Sequence, residues 1–229
     1  MKPPLVVAMT GASGALYAVR LLDCLLRADE SVHLTISPSA AMVLQQELGI
    51  RVDLRAFRLE DLIHGWAEAE STDPSDLQVV IRRTLESLKD SLQRRSERAS
   101  AIQYHHYGDF MAPIASGSFL TKGMVICPCS GSTMSGVVHG ASNNLVQRAA
   151  DVHLKEHRRL VLVPRETPLS AIQLKNMLLA AEAGAVVLPA MPGWYHGVRS
   201  LGDLVDFVVS RVLDQLNVEN TLVKRWGTS

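Results

Sequence analysis

The sequence predicts an α/β fold, a single Rossmann-like or flavodoxin-like parallel sheet with helices on both faces. Short runs rich in Val, Leu and Ile alternate with stretches of helical periodicity, which is typical of strands joined by crossover helices. Hydrophobic residues make up 47% of the 229 residues and aromatic residues only 5%, which suits helices packed closely on a buried sheet. No internal repeat and no Gly-, Ser- or Pro-rich linker divides the chain, so we expect one domain over residues 1–229.

Five strands and five helices are expected in this alternation. The strands fall at residues 5–9, 32–37, 124–127, 160–164 and 185–189. The helices fall at residues 14–27, 38–48, 143–157, 168–183 and 202–216. The second helix has the best-marked start, because Ser37 is a favourable N-cap residue and Pro38 fits the first helical position.

A further helix is expected at about 73–98, outside the strand–helix alternation. Among many charged residues, this stretch has an apolar stripe at spacings of three and four, formed by Leu77, Ile81, Leu85, Leu88 and Leu92. Such a stripe is too hydrophobic to remain in water. We therefore expect this insertion to cover the domain's own surface or a neighbouring subunit, without contributing to the ligand site.

Composition and charge exclude several classes of protein. The 23 basic and 23 acidic residues balance, so the chain lacks the positive field that most nucleic-acid binders need. No run approaches the roughly 20 apolar residues of a membrane span. The three cysteines, Cys24, Cys127 and Cys129, have no disulfide-framework spacing, which indicates a reducing, cytoplasmic compartment.

Glycine and small hydroxyl residues follow the predicted strands. Since parallel strands end at one edge of a sheet, the loops at 10–14, 37–39, 128–133, 165–168 and 191–195 are expected to lie together there. A single loop of this kind is as well explained by helix capping as by phosphate binding. Several such loops at one edge favour a phosphorylated ligand. Neither G-x-G-x-x-G nor G-x-x-x-x-G-K-[ST] occurs, which argues against NAD and ATP.

Two enzyme motifs are suggested by short strings, and the rest of the sequence supports neither. The loop at 11–15 fails the G-x-S-x-G pattern of serine hydrolases because position 15 is Ala. His153, Glu156 and His157 spell H-x-x-E-H, a zinc motif. Lys155 would lie beside such a metal and no third ligand is evident, so we expect no metal site.

Two cations on the predicted helix 143–157 are spaced to bind an anion. Arg148 and Lys155 are seven residues apart, which is two helical turns, so their side chains point the same way. Two aligned cations can bind a phosphate. The alternative is that both simply pair with Asp151.

Longer strings resemble the UbiX-type flavin prenyltransferases, the UbiX/Pad family of flavoproteins. The most specific are RAADVHLKE at 148–156 and PRETPL at 164–169, with GMVICPCS at 123–130. Shorter matches are MTGASG at 9–14, APIASGSF at 112–119, PGWYH at 192–196 and DLVDFVVSR at 203–211. The resemblance thus covers nearly the whole chain, except for the insertion at 73–98.

The resemblance implies two sets of binding residues. Contacts to FMN, which is a substrate in its reduced form, would fall on Gly11, Ala12, Ser13, Ser37, Ser130, Gly131, Ser132, Thr133 and Arg165. Contacts to the prenyl donor would fall on Arg148, Lys155, Glu166, Tyr195, Arg211 and Trp226. The residues implied in catalysis are Ser13, Glu47, Lys155 and Glu166.

The reaction implied by the resemblance joins the dimethylallyl group of dimethylallyl phosphate to N5 and C6 of reduced FMN. No metal is required, and the prenylated FMN serves as cofactor of UbiD-type decarboxylases. The family also implies a homo-oligomer with its sites where subunits meet. Two alternatives remain open: a flavin-dependent decarboxylase of the phosphopantothenoylcysteine type, and a non-catalytic flavin-binding protein.

Overall fold

A computed structural model of the protein describes residues 2–64, 75–95, 102–225 and 227. In these residues six strands form one sheet of order β3-β2-β1-β4-β5-β6, with every neighbouring pair parallel. The strands are β1 (Leu5–Met9), β2 (Val32–Ile36), β3 (Ile102–Tyr104), β4 (Gly123–Cys129), β5 (Leu160–Pro164) and β6 (Val186–Val187). The predicted α/β class with a doubly wound parallel sheet is confirmed.

Helices cover both faces of the sheet. They are α1 (Ala15–Arg27), α2 (Pro38–Leu48), α3 (Asp61–His64), α4 (Asp76–Arg95), α5 (Gly131–Val138), α6 (Leu145–Lys155), α7 (Ala171–Glu182) and α8 (Leu201–Gln215). Alternate residues of β1 point to opposite faces: Leu5 and Val7 pack in the core with α1, α4 and α8. Val6 and Ala8 pack in a second core with α5, α6 and α7. Because both faces are covered, β1, β4 and β5 are apolar throughout, whereas β2 contains the buried polar residues His33 and Thr35.

The predicted elements differ from the observed ones mainly at their ends. Helix α2 has the predicted bounds, and the strand predicted at 32–37 ends at Ile36 because Ser37 caps that helix. The strand predicted at 185–189 is reduced to β6, since it pairs only along β5 at the edge of the sheet.

Three elements were absent from the sequence prediction: β3, α3 and α5. Strand β3 is a three-residue edge strand, and α3 is a single helical turn. Helix α5 begins Gly-Ser-Thr and contains a second glycine, so its intrinsic helix propensity is low. Its start is stabilised instead by Ser130, whose Oγ accepts a hydrogen bond from the Thr133 backbone N–H at 3.3 Å.

The insertion predicted at 73–98 forms α4, which packs on α1 of the same chain. Its outermost predicted positions, 73, 74 and 96–98, lie outside the described residues. Leu85 and Leu88 are buried in the core, whereas Leu77 at the start of the stripe remains 45% exposed. The expectation that this helix covers the domain's own surface therefore agrees with its packing.

A buried carboxylate joins α4 to α1. Asp23 on α1 is fully buried and accepts hydrogen bonds from the hydroxyls of Ser87 at 2.5 Å and Ser91 at 2.6 Å on α4. Arg20 and Arg27 on α1 complete its shell at 2.6 and 3.1 Å. A buried charge is tolerated only with such partners, so this network fixes the position of α4 along α1.

Within the described ranges, we find no helix with the length and apolar character needed to cross a membrane. Cys24, Cys127 and Cys129 are all buried and none forms a disulfide.

Candidate functional site

The loops after β1 and β4 meet at the carboxyl edge of the sheet and are hydrogen bonded to each other. The Thr10 hydroxyl donates to the Pro128 carbonyl at 2.8 Å and accepts from the Ser130 backbone N–H at 2.8 Å. Strands β1 and β4 are neighbours at the point where the strand order reverses. This is the switch point at which open α/β sheets bind their ligands.

Gly11 brings the first loop against the start of α2. A Cβ atom at this position would lie 2.4 Å from Cβ of Ser39, so only glycine permits this approach. Ser37 caps α2 by accepting from the Ala40 backbone N–H at 3.1 Å. The predicted flavin contacts Gly11 and Ser37 are therefore brought to the same edge, beside the amino end of a helix.

Arg165 supplies a half-buried cation to the same edge. Cys129 pairs with Pro164 in the sheet, so Arg165 follows directly beside the Ser130 loop. Its Nε atom is buried and has no hydrogen-bond partner in the described part of the protein. A buried donor of this kind requires an acceptor, and a ligand phosphate would satisfy it. Together with the helix start at Gly131, Ser132 and Thr133, Arg165 fits an anionic ligand such as FMN.

Glu47 reaches the same edge from α2. Its carboxylate accepts from the backbone N–H groups of Gly14 and Ala15, each at 2.9 Å, and so caps the first turn of α1. It therefore holds the loop that carries Ser13. A favourable interaction between this anion and the positive end of α1 explains the position.

Two of the predicted donor contacts lie on one face of α6. Arg148 Nε donates to the Ala115 carbonyl at 3.1 Å, and Lys155 lies beside Gly117 with its Nζ 2.5 Å from Glu156. The predicted alignment of the two cations is thus observed. The alternative, pairing with Asp151, is observed for Arg148, which contacts Asp151 at 3.0 Å. It is not observed for Lys155, which pairs with Glu156.

Arg158 is a residue with a structural role in this region, and the sequence analysis did not predict that role. Its guanidinium donates to the Phe119 and Gly117 carbonyls at 2.7 and 2.5 Å. It thereby fixes the loop of residues 115–119 that runs beside Lys155. The string KEHRR after α6 is the only sequence signal, and it does not distinguish this arginine from Arg159.

Tyr195 and Arg211 lie in a separate open cavity between α8 and residues 220–225. The Tyr195 ring packs edge-on against Phe207, with ring centroids 5.9 Å apart. Arg211 contacts Asp214 at 3.1 Å. Trp226, the remaining predicted donor contact, lies outside the described residues.

The predicted donor contacts are not brought together within one chain. Lys155 precedes the amino end of β5 and Glu166 follows its carboxyl end, so a strand of five residues, roughly 16 Å long, separates them. Helix α6, which carries Arg148, packs in the core on one face of the sheet, and α8, which carries Arg211, packs in the core on the other. Glu166 lies near the carboxyl edge of the sheet, where its carboxylate accepts from Gln173 Nε2 at 3.3 Å.

His153 of the H-x-x-E-H string has a structural role. It is 1% exposed, and its ring nitrogens lie 2.7 Å from the Ala149 carbonyl and 2.8 Å from the Thr121 hydroxyl. Burial lowers its pKa to about 4, and Arg158 contributes in the same direction. Among the residues that the structure describes, no group of three or more His, Cys, Asp or Glu side chains is placed to hold a metal ion.

Comparison with known proteins identifies the family. The model of the family described as Flavoprotein matches residues 1–213. The chain is 44% identical to "Flavin prenyltransferase UbiX" of Alkalihalophilus pseudofirmus, over 96% of this chain and 94% of that protein.

Solved structures agree with this relationship. AnUbiX, determined in complex with FMN and dimethylallyl pyrophosphate, is similar with a TM-score of 0.74 and 33% identity over 100% of both chains. A dodecameric FMN-dependent UbiX-like decarboxylase from Escherichia coli O157:H7 gives a TM-score of 0.72 and 36% identity, also over 100% of both chains. The agreement of family model, sequence identity and fold over the full length leads to one conclusion: this chain belongs to the UbiX family of flavin prenyltransferases.

Proposed function

We propose that this protein is a flavin prenyltransferase, which joins the dimethylallyl group of dimethylallyl phosphate to N5 and C6 of reduced FMN and releases phosphate. The observation that carries the proposal is the presence of two separate anion-binding regions. One contains Arg165 and the helix starts at the carboxyl edge of the sheet. The other contains Arg148 and Lys155 on α6. Two regions suit two phosphorylated substrates.

The first region would hold the flavin phosphate. The donors there are the N–H groups of Gly131 and Ser132 at the start of α5, the Thr133 hydroxyl, which accepts from the Ser130 hydroxyl at 2.9 Å, and the buried Nε of Arg165. Ser37 and the loop of Gly11 to Ser13 line the same edge. Gly11 keeps this loop close to the start of α2, because a Cβ atom there would clash with Ser39.

The second region would hold the phosphate of the donor. When the allylic carbon–oxygen bond breaks, its electron pair leaves with the phosphate, and cations positioned there lower the barrier. Arg148 and Lys155 supply this charge. Arg211, which lies on the opposite face of the sheet in the same chain, would add to it from a neighbouring subunit. At the other end of the donor, Tyr195 and Trp226 would stabilise allylic cation character through their π faces without reacting with it.

Bond formation at N5 requires that N5 loses a proton, and ring closure at C6 requires that the dimethylallyl double bond takes up a proton while C6 loses one. Glu47, Ser13 and the released phosphate are the candidate groups for these proton transfers. Because the Glu47 carboxylate is held by the amino end of α1, it is fixed beside Ser13 and does not need to reorganise during the reaction.

We further propose that the active unit is a homo-oligomer whose donor sites form where subunits meet. Lys155 and Glu166 of one chain lie at opposite ends of β5, so a site that uses both must take them from different chains. Helix α7 offers an apolar outward surface for assembly: Ile172, Leu174 and Leu178 are 72%, 53% and 58% exposed. Exposed apolar side chains of this kind are typical of an interface.

The product would be prenylated FMN, the cofactor that UbiD-type decarboxylases use, and the compartment would be the cytoplasm. Three buried, unpaired cysteines are consistent with a reducing environment. A test of this link is the activation of a UbiD-type apo-decarboxylase by the purified protein supplied with both substrates.

The test of the proposed activity is anaerobic incubation of the purified protein with reduced FMN and dimethylallyl phosphate. Mass spectrometry of the extracted flavin should show addition of one C5 unit, and inorganic phosphate should appear in equal amount. Unmodified flavin after full incubation with folded, FMN-binding protein would overturn the proposal.

A flavin-dependent decarboxylase is the alternative, since the Escherichia coli structure is itself described as one. If such chemistry used a cysteine thiolate, this chain would supply it poorly. Cys24, Cys127 and Cys129 are buried, and burial raises the pKa of each thiol to about 12. Release of CO2 from a phenylacrylic acid by the protein alone, without flavin alkylation, would favour this alternative.

A further inference from the structure

The cavity beside α8 contains cations that the proposed function does not use. It encloses about 310 Å³, at the lower end of the roughly 300–1,000 Å³ typical of small-molecule sites. Besides Tyr195 and Arg211, its walls are formed by Phe207, Ser210, Asp214, Asn220, Val223, Lys224 and Arg225.

The walls of this cavity differ in polarity. Tyr195 and Phe207 form an aromatic wall, with their rings nearly perpendicular at 89°. Arg211, Lys224 and Arg225 bring three positive charges to the same cavity. An allylic phosphate has the matching structure, with an apolar hydrocarbon end and an anionic end.

Asp214 holds two of these cations in place. Its carboxylate contacts Arg211 at 3.1 Å and Arg225 at 2.8 Å, and it accepts from Asn220 Nδ2 at 3.2 Å. One carboxylate against three cations leaves the cavity positively charged. Lys224 forms no ion pair within the described part of the chain, so its ammonium is available to a ligand.

We propose that Lys224 binds the phosphate of the prenyl donor together with Arg211, while Asp214 positions the Arg211 and Arg225 guanidiniums beside it. This inference rests on the proposed function, which places Tyr195 and Arg211 at the donor. It adds a binding residue near the end of the chain and a positioning residue on α8. Neither residue contacts the flavin edge, so their contribution is specific to the donor.

The test is Lys224→Met in the full-length protein, assayed for flavin prenylation. The KM for dimethylallyl phosphate should rise about tenfold, the loss expected for one charge-assisted contact, with kcat little changed. The affinity for FMN should be unchanged. The KM of the variant should also depend less on salt, because one screened charge has been removed. Lys224→Arg should retain most of the donor affinity.

Lys89→Met is the matched control, since Lys89 is an exposed lysine on α4, away from the cavity. A wild-type KM in Lys224→Met overturns the inference and leaves the proposed function intact. Equal losses of donor affinity, FMN affinity and thermal stability would show that Lys224 is merely structural, and would also overturn it. If the unmodified protein makes no prenylated flavin, both proposals fail.

Discussion

Single residues at the two proposed anion sites differ in how they are held. Arg165 has a buried Nε that has no partner among the described residues, so it is prepared for a ligand. Lys155 is instead paired at 2.5 Å with the exposed Glu156, and that interaction is easily exchanged for a phosphate.

Lys155→Ala and Glu166→Gln are expected to remove most of the turnover while FMN binding stays nearly intact. Both side chains are proposed to act at the donor, and loss of one positioned electrostatic group typically costs about a hundredfold or more in rate. Flavin binding by fluorescence and prenylation by mass spectrometry measure the two effects separately. A folded variant with the unmodified rate would show that its residue has been wrongly assigned.

His153 is expected to make the protein less stable at acid pH. Its pKa is lowered to about 4 in the fold, below the ordinary value of 6.5, so the folded state favours the neutral ring. At a pH above about 6.5 the ring is neutral in both the folded and the unfolded state, and the fold has its full stability. As the pH falls towards 4, the unfolded state binds a proton on His153 before the folded state does, so the free energy of unfolding decreases. Between about pH 7 and pH 5 the loss should be about 2 kcal/mol.

The measurement is urea unfolding at both pH values for the unmodified protein and His153→Gln. The variant lacks the titrating ring, so its stability should fall less between the two conditions. His139→Gln is the control, because His139 also lies four residues after a carbonyl that it contacts, at 2.8 Å, but is exposed to solvent. An identical pH dependence in the unmodified protein and His153→Gln would refute the prediction.

Residue patterns predicted part of the site and missed part of it. The spacing of Arg148 and Lys155 correctly placed them on one face of a helix, because helical periodicity is a local property. The hydrogen bond between Thr10 and Ser130 joins residues 120 positions apart, and no local pattern contains that information. The same holds for Arg158, whose role depends on its hydrogen bonds to the carbonyls of Gly117 and Phe119, about 40 residues earlier in the chain.

At the scale of helices and strands, some elements are determined by their local sequence and others by their packing in the fold. Strands β1 and β5 were predicted with their observed bounds because a buried parallel strand is a short, continuous apolar run. Helix α5 was missed because its glycines and serines are weak helix formers, and its capping and packing on α6 and α7 override that weakness.

Helix α4 is expected to contribute to stability and not to flavin binding. Leu88 is fully buried against α1, so Leu88→Ala should lower the free energy of unfolding by about 2–5 kcal/mol. Leu77 belongs to the same stripe but is 45% exposed, so Leu77→Ala should change it by less than about 0.5 kcal/mol. Urea unfolding and FMN titration of the folded fraction test both statements. Weaker FMN binding by folded Leu88→Ala protein would mean that α4 does reach the flavin site.

At the scale of the whole molecule, the sheet itself separates the groups that the donor needs. Residues on α6 and α8 lie on opposite faces, and the ends of β5 lie at opposite edges, so no loop movement within a chain brings Lys155 to Glu166. The motifs in the sequence indicated that each of these residues contacts the donor, but they did not indicate how far apart the residues lie in one chain. The proposed homo-oligomer would solve this problem if the end of β5 near Lys155 in one subunit met the end near Glu166 in its neighbour.

Co-expression of Lys155→Ala and Glu166→Gln chains is therefore expected to restore activity that neither variant has alone. In a randomly mixed oligomer, a site that takes Lys155 from one chain and Glu166 from another has both intact in about a quarter of cases. Two affinity tags allow the mixed assemblies to be purified before prenylation is measured. The matched control pairs Lys155→Ala chains with chains carrying both substitutions, which leaves every site without Lys155. Recovery confined to the first mixture would show that the site is shared between subunits. Equal inactivity of both mixtures, at confirmed mixed composition, would mean that each chain supplies Lys155 and Glu166 to the same site, against the geometry of β5.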